Sequence, residues 1–297
     1  MPMRIPAFAW NEEGTDMSNS KRFFRALFSR KIVAVALAVI LFFFICAVAS
    51  PLLATHDPNL NDLYSVTKGP SAEHILGTDQ LGRDVYSRIV YGARVAFLVG
   101  ILAVMISAVL GSAIGLVAGY FGGWVDNVLM RIVEAMMAIP PIVLALALVA
   151  IFGRSVPMLI LVLGISAIPG FARMMRGQVL TVRDLDYVSA SRIRGNSNFV
   201  TMVKHILPNC LSPMIIVMTQ SIGGTILSEA GLSFLGAGVL PPTSSWGAMV
   251  NDGYTYLEKC PVFALAPGTA VILLVLAFNI FGDGLRDALD PRMRGRR

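Results

Sequence analysis

The sequence predicts an all-α integral membrane protein with six transmembrane helices. Of its 297 residues, 56% are apolar and only 14% are charged, whereas a soluble domain carries about 25% charged residues. The mean hydropathy is correspondingly high, at +0.71. The charged residues are also clustered, which leaves long uncharged runs between them. A helix needs about 20 such residues to cross a bilayer.

Six uncharged runs are close to that length or exceed it. They are residues 32–54, 95–125, 135–153, 155–172, 206–228 and 260–282. A further uncharged run, residues 230–250, is rich in Gly, Pro and Ser and is a poor helix former. We expect it to form a re-entrant or surface loop, because irregular backbone at membrane depth must be covered by protein or water.

The first three runs each carry a local signal. The first is longer than the apolar core of a cleaved signal peptide and follows a long polar leader, so it predicts a retained signal anchor. The second contains Gly111, Gly115 and Gly119, a spacing that favours close packing against a helix that the sequence does not identify. The third contains Pro140 and Pro141, which predict a kink or an interruption.

The distribution of basic residues predicts the orientation. With six spans, the side that holds both termini carries 18 of the 24 Lys and Arg residues. The positive-inside rule therefore predicts that both termini and the loop at 173–205 of this multi-pass protein lie in the cytoplasm. The net charge of +6 follows from this topology and does not indicate nucleic-acid binding.

The sequence offers little support for an enzyme. It contains no P-loop motif for ATP and no Gly-x-Ser-x-Gly nucleophile motif. Neither the three histidines, His56, His74 and His205, nor the three scattered cysteines show a metal-ligand or disulfide pattern. The span cores are free of charge, with Glu134 and Glu229 only at helix ends, which disfavours an ion-coupled carrier. Any energy for transport must therefore come from a partner.

A polar and basic segment, residues 173–205, separates two of the spans. We expect it to form two short helices hinged at Gly195, the first around residues 187–194. After Gly195, an apolar stripe recurs at helical spacing, at Phe199, Met202, Val203 and Ile206. The stripe predicts a face presented to a soluble partner outside the bilayer.

Residues 186–208 resemble the coupling loop of bacterial ABC importer permeases, whose pattern is Glu-Ala-Ala-x-x-x-Gly, nine residues, then Ile-x-Leu-Pro. Ser189, Ala190 and Ser191 occupy the first three positions, Gly195 the glycine, and Leu207 and Pro208 the end. His205 stands in place of isoleucine, and Ser189 replaces the usual glutamate. That replacement removes one potential salt bridge to an ATPase while keeping the spacing.

Three more segments are similar to the second permease subunit of the oligopeptide/dipeptide/nickel branch. They are residues 76–88, residues 232–247 with the motifs Leu-Ser-Phe-Leu-Gly and Trp-Gly, and residues 278–291 with Phe-Gly-Asp-Gly-Leu-Arg-Asp. The resemblance runs from about residue 20 to the C-terminus and implies a type I ABC importer (MetI-like) permease bundle.

The resemblance implies a domain order and a set of partners. The order is a cytoplasmic leader at 1–31, a first transmembrane helix at 32–54, an extracytoplasmic loop at 55–93, a five-helix core at 94–285 and a cytoplasmic tail at 286–297. The partners are a second permease, two cytoplasmic ATPases that bind ATP and magnesium, and an extracytoplasmic substrate-binding protein. This chain itself is expected to hold no cofactor or metal and to contact lipid but no nucleic acid.

Two groups of residues are predicted to be functional. For coupling to the ATPases they are Tyr187, Ser189, Ala190, Arg194, Gly195, Leu207 and Pro208. Asp79, Arg83, Asp84 and Arg88 are expected to shape an outer gate or a binding-protein dock, or to pair with one another for structural reasons alone.

The substrate is not specified by the residues. Peptides are expected first, with nickel or another small solute as the alternative. A stand-alone ion-coupled carrier and a structural or sensory subunit are the competing classes of function.

Overall fold

The computed structural model describes residues 27–28 and 30–289. The predicted leader therefore lies almost wholly outside the described residues, as does the end of the predicted tail. In the described part, the chain forms helices joined by turns and irregular loops. Eleven α-helices are labelled here in chain order: α1 Lys31–Val48, α2 Ser50–Leu53, α3 Val85–Phe121, α4 Gly123–Met137, α5 Pro141–Phe152, α6 Val156–Val182, α7 Asp186–Ile193, α8 Asn198–Val200, α9 Leu207–Phe234, α10 Trp246–Tyr254 and α11 Pro261–Leu289.

Five helical units are long and apolar enough to cross a membrane. They are α1, α3, α6, the continuous unit Asn198–Phe234, and α11. A sixth span is formed if α4 and α5 are counted together, although they are bent by 87° at their junction. The all-helical membrane fold that the sequence predicts is confirmed.

The bend between α4 and α5 lies where the proline pair predicts an interruption. Pro140 has an extended backbone, with φ −54° and ψ 132°, and Pro141 opens α5. Pro141 restricts the residue before it, Pro140, to an extended backbone, and a proline is tolerated at the first position of a helix because its missing amide hydrogen would have no partner there. The predicted span at 135–153 is therefore not one straight helix: α5 has only 12 residues, or about 18 Å of rise.

Helices α3 and α6 form the central pair of the bundle. The glycines of α3 face α6: an added Cβ at Gly111 would lie 2.6 Å from Cβ of Phe171, and one at Gly115 would overlap the carbonyl oxygen of Ala172. An added Cβ at Gly119 would lie 2.8 Å from Cβ of Val179. These three glycines therefore let the two backbones approach closely, and α6 is the packing partner that the sequence leaves open.

Helix α3 is longer than the predicted second span. It begins at Val85, so residues 85–93 of the predicted extracytoplasmic loop are helical. Its 37 residues rise about 55 Å, against about 30 Å for the hydrocarbon core. The length of α3 therefore exceeds the thickness of the hydrocarbon core. One end of α3 adjoins the loop of residues 54–84, here called the outer loop, and the other end contacts residues 186–208, here called the coupling segment.

The region 230–250 is more helical than predicted. Residues 230–234 complete α9, and residues 246–250 belong to α10, so only residues 235–245 form a loop. Trp246 is buried and its Nε1 donates to the carbonyl oxygen of Ile89 at 2.9 Å. Gly247 packs so closely that a Cβ there would overlap the backbone of Ala230. These contacts hold the start of α10 against α3 and α9, whereas residues 235–236 and 240–243 of the loop are exposed.

Candidate functional site

Helix α7 of the coupling segment has one buried face and one exposed face. Val188 and Ser191 point inward and are 0% and 3% exposed. Tyr187, Ala190 and Arg194 are exposed. Ile193, which the sequence analysis did not select, is 87% exposed. An exposed isoleucine beside an alanine gives α7 an apolar surface that the described residues do not cover.

Partial burial raises the pKa of Tyr187, and Cys210 on α9 adds to the shift. The Tyr187 hydroxyl is therefore neutral at physiological pH and can donate a hydrogen bond to a partner. Ser189 is half-buried beside this tyrosine.

A tight turn follows α7. Gly195 has φ +80°, in the region that only glycine adopts at low cost, although an added Cβ would meet no atom within 4 Å. The Asn196 side chain donates to Oγ of Ser191 at 2.9 Å, and that Oγ lies 3.2 Å from Oγ1 of Thr201. These contacts fold residues 196–201 back onto α7, which is the hinged geometry that the sequence predicts.

The apolar stripe after Gly195 is not one continuous face, and that prediction is wrong. Met202 and Ile206 are buried at 8% and 0% exposure, whereas Phe199 and Val203 are exposed at 69% and 41%. The reason is a π-helical segment, Thr201–Ile206. Hydrogen bonds from i to i+5 rotate successive side chains less than an α-helix does, so residues spaced for an α-helix no longer align. Leu207, half-buried, and Pro208, exposed, then open α9.

The coupling segment is attached to the end of α3 through Tyr120. The Tyr120 hydroxyl donates to Oδ1 of Asn198 at 2.9 Å. The guanidinium carbon of Arg192 lies 5.0 Å from the centre of the Tyr120 ring, a cation–π distance. Nearby, Nη1 of Arg183 donates to the carbonyl oxygen of Gly119 at 2.8 Å. The segment therefore contacts α3 as well as α6 and α9, with which it is continuous.

A cavity of about 840 Å³ lies beside α4, α5, α6 and α9. Its lining contains no charged side chain, and its polar groups are hydroxyls from Ser166, Ser221, Thr225 and Ser228. The sequence analysis did not identify this lining. A signal was present, since residues 217, 221, 224, 228 and 231 of α9 recur at helical spacing and most of them are small.

In the outer loop, Asp79 is the centre of a buried ionic cluster. Its Oδ2 accepts from Nε of Arg83 at 2.6 Å and lies 3.5 Å from Nε of Arg88. Arg88 also donates from Nη1 to the carbonyl oxygen of Pro58 at 2.9 Å. All three side chains are at most 5% exposed. The structure therefore has the self-paired arrangement, and a protein docking on this loop would meet other residues.

Asp84 stands apart from that cluster and caps α3. Its Oδ2 accepts from the amide nitrogen and Oγ of Ser87, at 2.8 and 2.7 Å, and from Oγ1 of Thr55 at 3.2 Å. Burial acts to raise the pKa of Asp84, but hydrogen bonds from Ser87 and His74 outweigh it, and the pKa lies below its ordinary value. Asp84 is therefore an ionised, fully buried carboxylate at neutral pH.

The two glutamates at helix ends differ from each other. Glu134 is exposed and lies 3.5 Å from Arg131, an exposed pair of little energetic value. Glu229 is 2% exposed, and its Oε1 accepts from the hydroxyls of Ser233 and Ser245 at 2.7 and 2.9 Å. Glu229 thus ties α9 to the start of α10.

Comparison with known proteins places this geometry in a family. Residues 111–295 match the model of the family described as binding-protein-dependent transport system inner membrane component. The chain belongs to this family. Residues 18–70 also match the N-terminal TM domain of oligopeptide transport permease C. The predicted resemblance is thereby confirmed, and the binding-protein-dependent transport family accounts for the helical membrane fold.

Curated relatives in this transport family cover nearly the whole chain. A dipeptide transport system permease protein, DppC, from Alkalihalophilus pseudofirmus is 40% identical over 95% of this chain and 93% of its own length. A glutathione transport system permease protein, GsiD, from Pectobacterium atrosepticum is 41% identical over 90% of this chain and 89% of its own. These relatives are transport permeases and not enzymes.

A solved structure agrees with the fold. The MetNI methionine ABC transporter, in inward-facing conformations, has a chain that superposes with a TM-score of 0.56 and 20% identity. The match covers 68% of this chain and 97% of that one. The predicted type I ABC importer permease bundle is confirmed by this similarity.

Proposed function

We propose that this chain is the transmembrane permease subunit of an ATP-driven ABC importer for dipeptides and oligopeptides. The coupling segment carries the proposal: an exposed helix face on α7, followed by a glycine turn at Gly195, held against α3 and continuous with two membrane-spanning helices. The relatives named for dipeptide and glutathione transport both handle peptides, which supports this substrate class.

The partners follow from what the chain lacks and what it exposes. Its sequence has no P-loop, so ATP and magnesium belong on two separate cytoplasmic ATPases. A second, similar permease completes the translocation path, and an extracytoplasmic binding protein delivers the substrate. Both termini and the coupling segment face the cytoplasm, in keeping with the distribution of Lys and Arg. The membrane is bacterial and is the inner one.

The geometry supports a mechanical role for α7. Tyr187, Ala190, Ile193 and Arg194 face outward and would occupy a groove on an ATPase. Closure of the ATPases on ATP would displace α7, and the displacement would pass to α6 through residues 183–185 and to α9 through the π-helical segment. Differential binding of ATP to the two arrangements would supply the energy, as any population shift requires.

The lining of the cavity supports a translocation path that accepts many different peptides. An uncharged lining with scattered hydroxyls offers hydrogen bonds without holding an ion tightly, which suits passage of many peptides and leaves selection to the binding protein. Nickel or another small solute remains the alternative cargo. A cation path through the described spans would need carboxylate or imidazole groups, and the lining has neither.

Co-purification tests the proposal. The detergent-solubilised native chain should bring down a second permease and two P-loop ATPases. The double variant Ala190→Arg with Gly195→Trp should lose the ATPases. It should stay folded, because both positions are exposed and the cost of a side chain at the positive φ of residue 195 is only about 1–2 kcal/mol. Ala72→Arg, at an exposed position of the outer loop, is the matched control and should keep them.

Uptake by the purified complex separates the remaining classes. In proteoliposomes with the binding protein, a labelled dipeptide should enter only with ATP, and glutathione and Ni²⁺ serve as competing cargoes. If the native chain purifies alone and folded, and takes up substrate on an ion gradient, the carrier class is correct. If the complete complex moves nothing with ATP, the chain is a structural or sensory subunit.

A further inference from the structure

Three potential metal ligands of the outer loop converge at one point. They are His56, His74 and Asp84, and their ligand atoms all lie within 4.8 Å of one another. Nδ1 of His74 lies 3.0 Å from Oδ1 of Asp84, and Nδ1 of His56 lies 3.9 Å from the same oxygen. The two imidazole rings face each other with centroids 4.7 Å apart. The sequence predicts no metal site here, because its histidines show no metal-ligand spacing.

The two oxygen atoms of the Asp84 carboxylate have different partners. Its Oδ2 takes the hydrogen bonds from Ser87 and Thr55 that fix the orientation of the group. Its Oδ1 points to the two imidazoles. In metal sites a bound carboxylate is typically held in this way by hydrogen bonds to its other oxygen. One oxygen atom of a buried, ionised group is therefore available to a cation.

The donor set selects a class of ion. Two imidazole nitrogens and one carboxylate oxygen suit first-row transition metals and zinc, whereas calcium and magnesium prefer oxygen alone. With bonds of about 2.0–2.2 Å to a tetrahedrally coordinated ion, ligand atoms lie about 3.3–3.6 Å apart. The separations of 3.0 and 3.9 Å from Oδ1 of Asp84 to Nδ1 of His74 and of His56 are close to that range. His56 is 35% exposed at its side chain, which gives an ion a route in from solvent and lets the ring adjust.

We propose that His56, His74 and Asp84 form a binding site for one divalent ion of the zinc and nickel class, with solvent completing the coordination. The Nδ1 atoms of both histidines bind the ion, so the proton that His74 now directs at Asp84 moves to Nε2. The ion joins the chain just after α2 to the first residue before α3. It is a resident structural ion and not the transported cargo.

The consequence of binding is stabilisation of the outer loop. Without the ion, this junction depends on the hydrogen bonds of Asp84 and on the hydrogen bond that the backbone amide of His56 donates to Oγ of Ser87 at 3.1 Å. An ion that binds only the folded loop raises the thermal midpoint with ion concentration. Transport activity is not needed to observe this effect, so the inference stands or falls independently of the proposed function.

The test uses the full-length chain in detergent, carrying a tag without histidine and stripped with a chelator. Co²⁺ is titrated and followed by its d–d absorption, and Zn²⁺ by equilibrium dialysis and by the thermal midpoint. We expect about one ion per chain, at least tenfold weaker binding in His56→Gln, and native binding in His205→Gln. His205 lies in the π-helical segment at the other end of the molecule and is the matched control.

Two results would overturn the site: no binding by the native chain, or native affinity in His56→Gln. His74→Gln is expected to abolish binding as well. Should that variant not fold, His56→Gln decides alone, because its replacement disturbs only a half-exposed ring. Loss of binding in His205→Gln would also count against the site, since it would indicate adventitious binding to surface histidines.

Discussion

The outer loop and the coupling segment are both polar stretches between membrane-spanning helices, but they use their charged residues in opposite ways. Asp79 of the outer loop pairs with Arg83 and with Arg88 at the start of α3, and all three side chains are at most 5% exposed. In the coupling segment Arg194 is exposed, as are Ile193 and Phe199. A region that satisfies its own polar groups stabilises the fold. A region that leaves its arginines in solvent can offer those charges to a partner.

The largest expected change in unfolding free energy comes from replacing the buried carboxylate of Asp79. Asp79→Asn removes the charge that compensates two buried arginines, and breaking such a cluster costs about 3–5 kcal/mol of unfolding free energy. Chemical unfolding in detergent measures the effect. Glu73→Gln, at an exposed carboxylate of the same loop, should change stability by less than about 0.5 kcal/mol. Equal stability of the two variants would mean that the cluster does not form.

The turn of the coupling segment should give an intermediate effect. Gly195→Ala introduces a Cβ at φ +80°, where an L-residue costs about 1–2 kcal/mol, although the space around it is open. The same unfolding assay applies, together with recovery of the ATPases, which should fall as the turn relaxes. Gly69→Ala in the outer loop, also in open space but without a positive φ, is the control. If both substitutions behave alike, the turn does not require glycine.

A smaller loss is expected where the coupling segment touches α3. Tyr120→Phe removes the hydrogen bond to Asn198 and keeps the ring under Arg192, at a cost of about 0.5–1.5 kcal/mol. Hydrogen exchange of residues 196–200 should accelerate while the rest of the chain is unchanged. Tyr64→Phe, at a tyrosine that is 95% exposed, should have no effect on either quantity. Unaltered exchange in Tyr120→Phe would contradict the attachment.

The smallest effect on the isolated chain should come from the exposed face of α7. Ile193→Ser should leave the unfolding free energy within about 0.5 kcal/mol, because the side chain is 87% exposed. Affinity for the ATPases should nevertheless fall by roughly tenfold, since burying such a side chain is worth about 1.5 kcal/mol or more. Leu63→Ser in the outer loop, at a leucine that is 74% exposed, should leave ATPase affinity unchanged. A similar loss in both variants would remove the distinction between the regions.

The fold class and most spans can be predicted from the sequence, because a helix that crosses the hydrocarbon core must consist mainly of uncharged residues. The sequence also predicted the break at Pro140 and the turn at Gly195, which depend on the backbone chemistry of single residues. It misplaced the start of α3 by treating Arg88 and Arg94 as loop residues. Both charges lie in the part of α3 before the apolar run, where a helix can leave the membrane.

Other features depend on tertiary contacts that no local pattern encodes. The prediction of one apolar stripe from Phe199 to Ile206 assumes the 3.6-residue period of an α-helix. The π-helical segment has a longer period, so the side chains do not align. The convergence of His56, His74 and Asp84 arises when the chain folds back on itself before α3. Among the residues predicted for coupling, Tyr187, Ala190 and Arg194 are exposed, as a docking role requires. Their function stays a prediction.

The glycine-lined contact between α3 and α6 also determines how motion in this molecule should be observed. Backbones that approach so closely cannot slide past each other without a clash at Gly111 or Gly115. The two helices should therefore move together as one rigid unit, and relative motion is expected between that unit and α9 with its π-helical segment. Spin labels or fluorophores for distance measurements belong in pairs, one on the lipid-facing side of α6 and one on α9. A pair of labels placed on α3 and α6 should give the same distance in every state. That constant distance is the reference for changes in the α6–α9 distance.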